Sequence, residues 1–390
     1  MSKTKKLQLQ SLAVHAGRDR TAIPHTPPID LSTTTRIHDL PEAIESITAI
    51  NQGQVASGNP IYSRLHNDTI AGFENALATL EQAQAAVAFA SGMAAITAVL
   101  MEANQRGDHI VACRPIYGGT DSLLQSGLLG LDVTWTSPHQ VGQAITPRTS
   151  LVMIETPANP SLKLIDIAAV RSQIGDLPLS VDSTFATPVL QQPILHGADI
   201  VIHSATKFIG GHSDVLAGVV ACSEAYAQKL RRIRIATGGN LHPLSGYLLH
   251  RGLQTMPLRV HAAQKNATFL AQKLRSHKCI SKVYHPSLPS CDPEQLVGKQ
   301  MVGPGALLAF DCLDGFATAQ KVMNRIELIT PAVSLGSVDS LLQHPAGLTH
   351  INAGAKSRSE AGITDGMLRM SVGIEDQDDL WADLLQALSG

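Results

Sequence analysis

Residues 181–220 read VDSTFATPVLQQPILHGADIVIHSATKFIGGHSDVLAGVV, and this stretch decides the fold prediction. It holds two short apolar runs, Ile200–Ile202 and Val215–Val220, and a third, Leu179–Val181, overlaps its start. Each run has the length of a strand, and the segment between Val181 and Ile200 is long enough for a helix. Short apolar runs that alternate with helical segments are typical of a mostly parallel sheet covered on both faces.

The same alternation extends toward the N-terminus. Further strands are predicted at Ala86–Phe89, His109–Cys113 and Leu151–Ile154. From Asn67 the apolar residues recur at helical spacing. The preceding residues are rich in proline and glycine, and they predict an extended arm with one short helix near Pro41–Asn51.

The pattern changes after residue 257. A helix is predicted over Val260–Ser276, strands of a second, smaller sheet at Val283-Tyr284 and Ala306–Phe310, and a closing helix at Asp376–Leu388. The expected fold class is therefore α/β. Its predicted parts are an N-terminal arm (1–66), a large domain built on the mostly parallel sheet (67–257) and a small C-terminal α/β domain (258–390).

Polar residues follow the predicted strands, at the edge where parallel sheets bind ligands. Asp182 follows one strand, Ser204-Ala205-Thr206-Lys207 lies beyond the next, and Ser91-Gly92-Met93 ends an earlier one. Taken singly, each has an ordinary explanation as a helix cap or a solvated strand end. Together they supply what pyridoxal phosphate requires, namely an amine for a Schiff base, a carboxylate for the pyridinium nitrogen and a phosphate cup.

These motifs resemble the Cys/Met-metabolism family of pyridoxal-phosphate enzymes, also called the transsulfuration or cystathionine γ-synthase-like family. The strongest match is residues 181–220, and the resemblance extends from the arm to the last helix. It implies fold type I of the pyridoxal-phosphate enzymes. The other matching segments are Tyr62-Ser63-Arg64, Ser91-Gly92-Met93, Tyr117-Gly118-Gly119-Thr120, residues 155–160 (ETPANP), Ser334-Leu335-Gly336, His344-Pro345-Ala346 and Leu368-Arg369-Met370-Ser371.

The resemblance implies roles around the cofactor. Lys207 would form the Schiff base and move protons at the substrate Cα. Asp182 would keep the pyridinium nitrogen protonated, so that the ring can accept electrons. Tyr117 would stack on the ring and exchange protons with the substrate. The phosphate would be held by Ser91, Gly92, Met93, Ser204 and Thr206.

The resemblance also implies the substrate-binding residues and the assembly. Arg369 would pair with the substrate α-carboxylate through its planar guanidinium. Asn159 and Ser334 would support the O3′ region of the cofactor and the position of the carboxylate or of Lys207. In this family Tyr62 and Arg64 reach the phosphate of a neighbouring subunit. A homotetramer, built as a dimer of dimers with shared active sites, is therefore expected.

Val333 bears on the reaction. Family members that act on cystathionine usually carry Glu at this position, whereas methionine γ-lyases carry an apolar residue. We therefore expect γ-elimination of a γ-substituted L-amino acid (methionine, homocysteine or an analogue such as canavanine), giving a 2-oxo acid, ammonia and the leaving group. Two features depart from the methionine γ-lyase pattern, since Gly119 replaces a reactive Cys and Arg234-Ile235 replaces a Lys-Asp pair. The alternative is a cystathionine γ-lyase, or a cystathionine γ-synthase that catalyses γ-replacement.

Composition argues against several other classes. Lys and Arg total 30 against 32 Asp and Glu, and aromatic residues make up 4%, which does not suit a nucleic-acid partner. The five cysteines are widely spaced, with no C-x-x-C pair, as in reduced intracellular proteins. No apolar run reaches the roughly 18 residues of a membrane span, and MSKTKKLQLQ lacks the apolar core of a secretory signal. We expect a cytoplasmic enzyme with no membrane partner and no metal. A binding protein that has lost catalysis is disfavoured by the intact Lys207.

Overall fold

The computed structural model describes residues 7–18, 21, 23–56, 58–351, 358 and 362–389. The first six residues of the predicted arm lie outside this part of the chain. The helices are α1 (Leu9–His15), α2 (Leu40–Asn51), α3 (Asp68–Glu81), α4 (Gly92–Asn104), α5 (Gly118–Gln125), α6 (Val141–Ala144), α7 (Ile167–Ile174), α8 (Thr187–Leu190), α9 (Glu224–Thr237), α10 (Pro243–Arg275), α11 (Phe316–Arg325) and α12 (Gln377–Ser389), with 3₁₀ turns at Pro138–Gln140 and Pro193–His196.

Twelve strands are found in the described residues. They are β1 (Ala85–Phe89), β2 (His109–Cys113), β3 (Asp132–Thr136), β4 (Thr149–Glu155), β5 (Leu179–Asp182), β6 (Ile200–His203), β7 (Gly218–Cys222), β8 (Ile280–Tyr284), β9 (Leu307–Cys312), β10 (Thr330–Pro331), β11 (Leu341–Gln343) and β12 (Met367–Ser371).

The first seven strands form one sheet in the order β1-β7-β6-β5-β4-β2-β3. Strands β2 to β6 run parallel, whereas β7 is antiparallel to both of its neighbours, β6 and β1. The mostly parallel large sheet is thus confirmed. The strand predicted at Val215–Val220 begins later, at Gly218. Strand β3 was missed because DVTWT mixes polar and apolar residues, as suits the partly exposed edge of the sheet.

Both faces of this sheet are buried. Along β4, Leu151 and Met153 pack into one apolar core, while Val152 and Ile154 pack into a second one. Because successive side chains of a strand point to opposite faces, helices must cover both sides. Helices α3 and α10 contribute to the core around Val152, and α4 and α9 to the core around Leu151.

The remaining strands form a second sheet in the order β10-β11-β12-β9-β8. The predicted strands at 283–284 and 306–310 correspond to β8 and β9. Strand β12 was not predicted as a strand, because Arg369 interrupts its apolar pattern although the strand is fully buried. The apolar core of this sheet is closed by α12 through Leu380, Leu384 and Leu388. Leu385, on the same helix, is 38% exposed.

Helix α10 links the two sheets. It spans 33 residues and contacts α3 beside the first sheet and β8 and β9 of the second. The sequence predicted only its second half, because Gly252 and Pro257 obscure the helical pattern before Val260. The predicted boundary between residues 257 and 258 falls inside α10, and the division into domains stays a prediction. Even this helix lacks the apolar run needed to cross a bilayer, as do all helices of the described residues.

In the N-terminal region, α2 matches the short helix predicted near Pro41–Asn51, and Asp39 caps it by accepting a hydrogen bond from the Glu42 N–H. Helix α1 was not predicted. The predicted start of α3 is confirmed, because the Asn67 side chain accepts a hydrogen bond from the Ile70 N–H.

Candidate active site

A cavity of about 320 Å³ lies at the carboxyl ends of the parallel strands β4, β5 and β6. This is where an open α/β sheet is expected to bind its ligand. Twelve of the sequence-predicted residues line it: Ser91, Gly92, Met93, Tyr117, Asn159, Asp182, Ser204, Thr206, Lys207, Val333, Ser334 and Arg369. The nine residues from Ser91 to Lys207 belong to the first sheet and its connections. Val333, Ser334 and Arg369 belong to the second sheet and the segments around it.

One wall of the cavity is built as an anion site. The Ser91 side chain caps α4 by accepting a hydrogen bond from the Ala94 N–H at 3.1 Å. Gly92 starts this helix against Ser204, and a Cβ at position 92 would stand 3.1 Å from both Cβ and Oγ of Ser204. The absence of a side chain at Gly92 therefore permits a close approach of the two loops. The free N–H groups and the positive end of the helix dipole favour an anion such as a phosphate here.

Asp182 lies at the end of β5 and is 6% exposed. Its Oδ1 accepts hydrogen bonds from Thr184, at 3.0 Å from the backbone N and 2.6 Å from Oγ1. Burial raises the pKa of Asp182, and these hydrogen bonds oppose the rise. Thr184 Oγ1 also accepts from the Ser204 N–H at 2.9 Å, so that it joins the carboxylate to the anion site.

The Lys207 amine points into the cavity and donates to Ser334 Oγ at 2.6 Å. Burial, together with the charge of Arg369, lowers the pKa of Lys207 to about 8. The backbone at Ser334 has φ of 88°, in the left-handed region. At Gly336 a Cβ would stand 2.4 Å from the Phe208 nitrogen, so glycine is required where this turn crosses the segment after Lys207.

The guanidinium of Arg369 lies deep in the cavity, where the side chain is 2% exposed. It donates to Asn159 Oδ1 and to the Ser334 backbone oxygen, both at 2.7 Å. The side-chain oxygen of Gln343, in the orientation that satisfies both groups, accepts at 2.8 Å as well. Burial lowers the pKa of Arg369 to about 10, so it remains a cation at neutral pH. These partners are neutral oxygens, which leaves the positive charge available to balance an incoming carboxylate.

Tyr117 lies immediately before α5 and is 42% exposed at the mouth of the cavity. A Cβ at Gly119 would stand 2.6 Å from its ring carbon Cε1 and 2.9 Å from the Met93 sulfur. The ring can take this position only because residue 119 has no side chain.

Tyr62 and Arg64 do not line the cavity. Arg64 donates to the Ile235 backbone oxygen at 3.0 Å and lies 5.7 Å from the ring centre of Tyr62. Within one chain these two side chains are thus not brought to the other predicted site residues. Their expected contact with a neighbouring subunit stays a prediction.

Sequence reasoning missed several lining residues, chiefly Glu155, Thr184 and Thr349. Glu155 ends β4 and pairs in register with Asp182 at the end of β5. The rule that identified Asp182, a polar residue at the carboxyl end of a buried strand, applies equally to Glu155 and could have identified it. In the described part of the chain, no group of three or more His, Cys, Asp or Glu residues could hold a metal ion.

Residues 10–389 match the model of a protein family described as Cys/Met metabolism PLP-dependent enzyme. The chain belongs to this family. The arrangement of the residues that line the cavity fits the cofactor of the family, pyridoxal 5′-phosphate (PLP). The anion site would hold the phosphate, Asp182 the pyridinium nitrogen and Lys207 the aldehyde carbon.

Individual relatives agree with the family match. The chain is 51% identical to an L-methionine gamma-lyase from Streptomyces avermitilis, over 97% of this chain and 89% of that protein. It is 47% identical to an L-methionine gamma-lyase from Brevibacterium sandarakinum, over 97% of each chain. Among solved structures, a cystathionine gamma-lyase from Lactobacillus plantarum, complexed with L-serine, superposes with a TM-score of 0.90 at 35% identity, covering 98% of this chain and 99% of that one.

The lowered pKa of Lys207 leads to a testable pH dependence for this family member. Only a neutral amine attacks an aldehyde such as that of PLP, and the Lys207 amine becomes neutral above a pKa of about 8. If Lys207 captures PLP as predicted, the capture rate of the apo chain should rise through about pH 8 and level off near pH 9. Stopped-flow absorbance across this range measures the rate. The control is Nα-acetyl-lysine, whose free ε-amine has an ordinary pKa. Its rate of reaction with PLP should continue to increase with pH up to about pH 10 and beyond. A capture rate that follows the control would contradict the low pKa.

Proposed function

We propose that this chain catalyses PLP-dependent γ-elimination from L-amino acids with a γ-heteroatom, methionine foremost. The balanced reaction converts L-methionine and water into 2-oxobutanoate, ammonia and methanethiol. Homocysteine and an oxygen-linked analogue such as canavanine would be handled in the same way, with a different leaving group. The observation that carries this proposal is the apolar wall at Val333, beside the cation Arg369 and the amine Lys207.

In this reaction Arg369 would bind the substrate α-carboxylate and so orient Cα toward Lys207. The Lys207 amine would remove the Cα proton, transfer that proton to the cofactor and, neutral again, remove a Cβ proton. Its pKa of about 8 suits a base that works near neutrality. When bound, PLP would supply an electron sink for the charge that develops at Cα. The Tyr117 hydroxyl, at the mouth of the cavity, would donate a proton to the departing sulfur.

The distal wall favours an uncharged side chain on the substrate. Val333 is 51% exposed and lines the cavity together with Phe185, Leu216 and Leu335. The carboxylates that line the cavity in the described residues are Asp182 and Glu155. Asp182 bonds to Thr184, and Glu155 bonds to two backbone N–H groups. Neither is placed to meet a second ammonium at the distal end of a substrate such as cystathionine.

A substrate panel tests the proposal. The purified holoenzyme would be given methionine, homocysteine, cystathionine, O-acetylhomoserine, O-succinylhomoserine, cysteine and canavanine, and the 2-oxo acid and the leaving group would be measured separately. We expect 2-oxobutanoate and methanethiol in equal amounts from methionine. A higher kcat/KM for cystathionine than for methionine, homocysteine and canavanine would favour cystathionine γ-lyase instead.

Val333→Glu should shift the preference toward cystathionine. A carboxylate at this position would pair with the distal ammonium, which is otherwise desolvated without a partner. Such a charge-assisted hydrogen bond is worth about 1.5–3 kcal/mol, on the order of 10- to 100-fold in kcat/KM. Val333→Gln, similar in size to Glu but uncharged, is the matched control and should give a much smaller shift. Equal shifts in the two variants would show that side-chain size, not charge, sets the preference.

The assembly and the location are proposed on separate grounds. Apolar side chains between residues 23 and 55 are exposed in the single chain, which suits burial against other subunits of a homotetramer with shared active sites. They are Ile23, Ile29, Leu31, Ile37, Leu40, Ile44 and Val55. All five cysteines are free thiols, which is compatible with a cytoplasmic location.

A further inference from the structure

Glu155 carries a buried carboxylate that the proposed chemistry does not use. The side chain is 4% exposed and lines the cavity beside Asp182. Its Oε2 accepts a hydrogen bond from the Tyr117 backbone N–H at 2.6 Å. Its Oε1 accepts one from the Asn159 backbone N–H at 2.8 Å. One carboxylate therefore fixes two separate loops at the edge of the sheet.

Each of these loops leads to a group that would handle the substrate. The first carries the Tyr117 ring at the cavity mouth. The second carries the Asn159 amide, whose Oδ1 accepts from Arg369 at 2.7 Å. Arg369 in turn bonds to the backbone oxygen of Ser334, whose hydroxyl meets the Lys207 amine. Short hydrogen bonds thus link the Tyr117 backbone to Glu155, Glu155 to Asn159, Asn159 to the guanidinium of Arg369, and Arg369 through Ser334 to the amine of Lys207.

Placing a carboxyl group here is costly. Burial, and then the neighbouring carboxylate of Asp182, raise the pKa of Glu155 well above its ordinary value. An apolar side chain would avoid this cost but would leave two buried N–H groups without acceptors. A glutamine would offer one oxygen to one N–H and turn its NH₂ group against the other. Among the common side chains, a carboxyl group of this length is the one that can accept from both loops at once.

We propose that Glu155 is a positioning residue that holds the Tyr117 ring and the Arg369 clamp in one mutual arrangement. It acts through the backbone of Tyr117 and Asn159 and does not itself touch the reacting atoms. The inference rests on the proposed use of Tyr117 and Arg369 as substrate-handling groups. Its direct consequence concerns amino-acid binding, because the α-carboxylate should bind weakly when Asn159 no longer holds the guanidinium in place.

Glu155→Gln in the holoenzyme tests this role. L-alanine and L-norleucine are suitable probes, because both carry the α-carboxylate and neither has a γ-leaving group. Their dissociation constants can be read from the change in visible absorbance of bound PLP. We expect both constants to rise at least tenfold, together with a fall in kcat on methionine. The binding measurement is independent of the γ-elimination proposal, which would fail separately if the wild type bound both probes but released no thiol.

The matched control is Asp383→Asn. Asp383 is 7% exposed and accepts hydrogen bonds from the backbone N–H groups of Glu327, Leu328 and Ile329, away from the cavity. Both substitutions remove a buried carboxylate that accepts from backbone N–H groups, and both should lower Tm. Only Glu155→Gln should weaken probe binding.

Two outcomes would overturn the proposal. Probe constants for Glu155→Gln within twofold of the wild type would show that the arrangement does not depend on this carboxylate. If Glu155→Gln does not fold, the same comparison is made on Glu155→Asp, which keeps the charge but is too short to reach both N–H groups. Failure of both variants to fold would assign Glu155 a purely structural role.

Discussion

Replacing Lys207 by alanine is expected to lower kcat on methionine by at least about a thousandfold and to abolish the visible absorbance band of the bound cofactor. Among the described residues that line the cavity, Lys207 is the only lysine, and burial together with the charge of Arg369 lowers its pKa to about 8. Loss of a positioned general base alone costs about 10²–10⁴-fold. Loss of the covalent link to PLP adds to this.

The fold should survive this change. The Lys207 side chain makes its hydrogen bond to Ser334 Oγ, whereas the surrounding turn is held by backbone bonds and by Gly336. Tm and the size of the assembly should therefore stay close to those of the wild type. Lys163→Ala, at an exposed lysine outside the cavity, is the control and should keep full activity. Substantial turnover by purified Lys207→Ala would remove Lys207 from its assigned role.

Co-expression of two inactive chains, Arg64→Ala and Lys207→Ala, is expected to restore activity. Within one chain Arg64 bonds to Ile235 and stays away from the cavity, so the proposed shared site needs Arg64 from a second subunit. With equal amounts of the two chains and random pairing, half of the two-fold dimers are hybrids. Each hybrid has one site with both residues intact, which predicts about a quarter of the wild-type activity.

The complementation assay separates the alternatives clearly. If the arm serves its own subunit, both sites of every hybrid lack one residue and the mixture stays inactive. If Arg64 has no role in the site, the Arg64→Ala chain is active by itself. The two chains carry different tags, and sequential purification of a separate aliquot over both tags verifies that the assayed, unselected mixture contains hybrids. Co-expressed Lys207→Ala with Lys207→Ala, carrying the same tags, provides the background.

The sequence was most informative about residues at the ends of parallel strands. Asp182, Lys207 and the segment at Ser91 could be predicted to converge, because strand order in a parallel sheet brings the carboxyl ends together whatever the details of packing. The same reasoning also predicted a mostly parallel sheet that is covered on both faces. It missed Glu155 only because the neighbouring motif was read as a family signature rather than as a strand end.

The residues from the second sheet could not be placed by such local reasoning. Arg369 lies on a buried strand and interrupts its apolar pattern, and its position in the cavity depends on how the second sheet packs against the first. Only the resemblance to a family pointed to it. Helix α10 was shortened in the prediction for a similar reason, because the interior Pro257 is tolerated by tertiary packing that the sequence does not display.

The course of α10 has a consequence for making chimeras. The residues before this helix include Lys207, Asp182 and the anion site at Ser91, and those after it include Val333, Ser334 and Arg369. A crossover placed after Arg275 would exchange Val333, Ser334 and Arg369 as a single block, while Lys207 stays with the recipient. The guanidinium of Arg259 on α10 donates to the Phe208 oxygen at 2.7 Å, beside Lys207, and this contact would remain within the recipient part. Recombination at this point therefore offers a route to changing one wall of the cavity while Lys207 and its immediate surroundings stay unchanged.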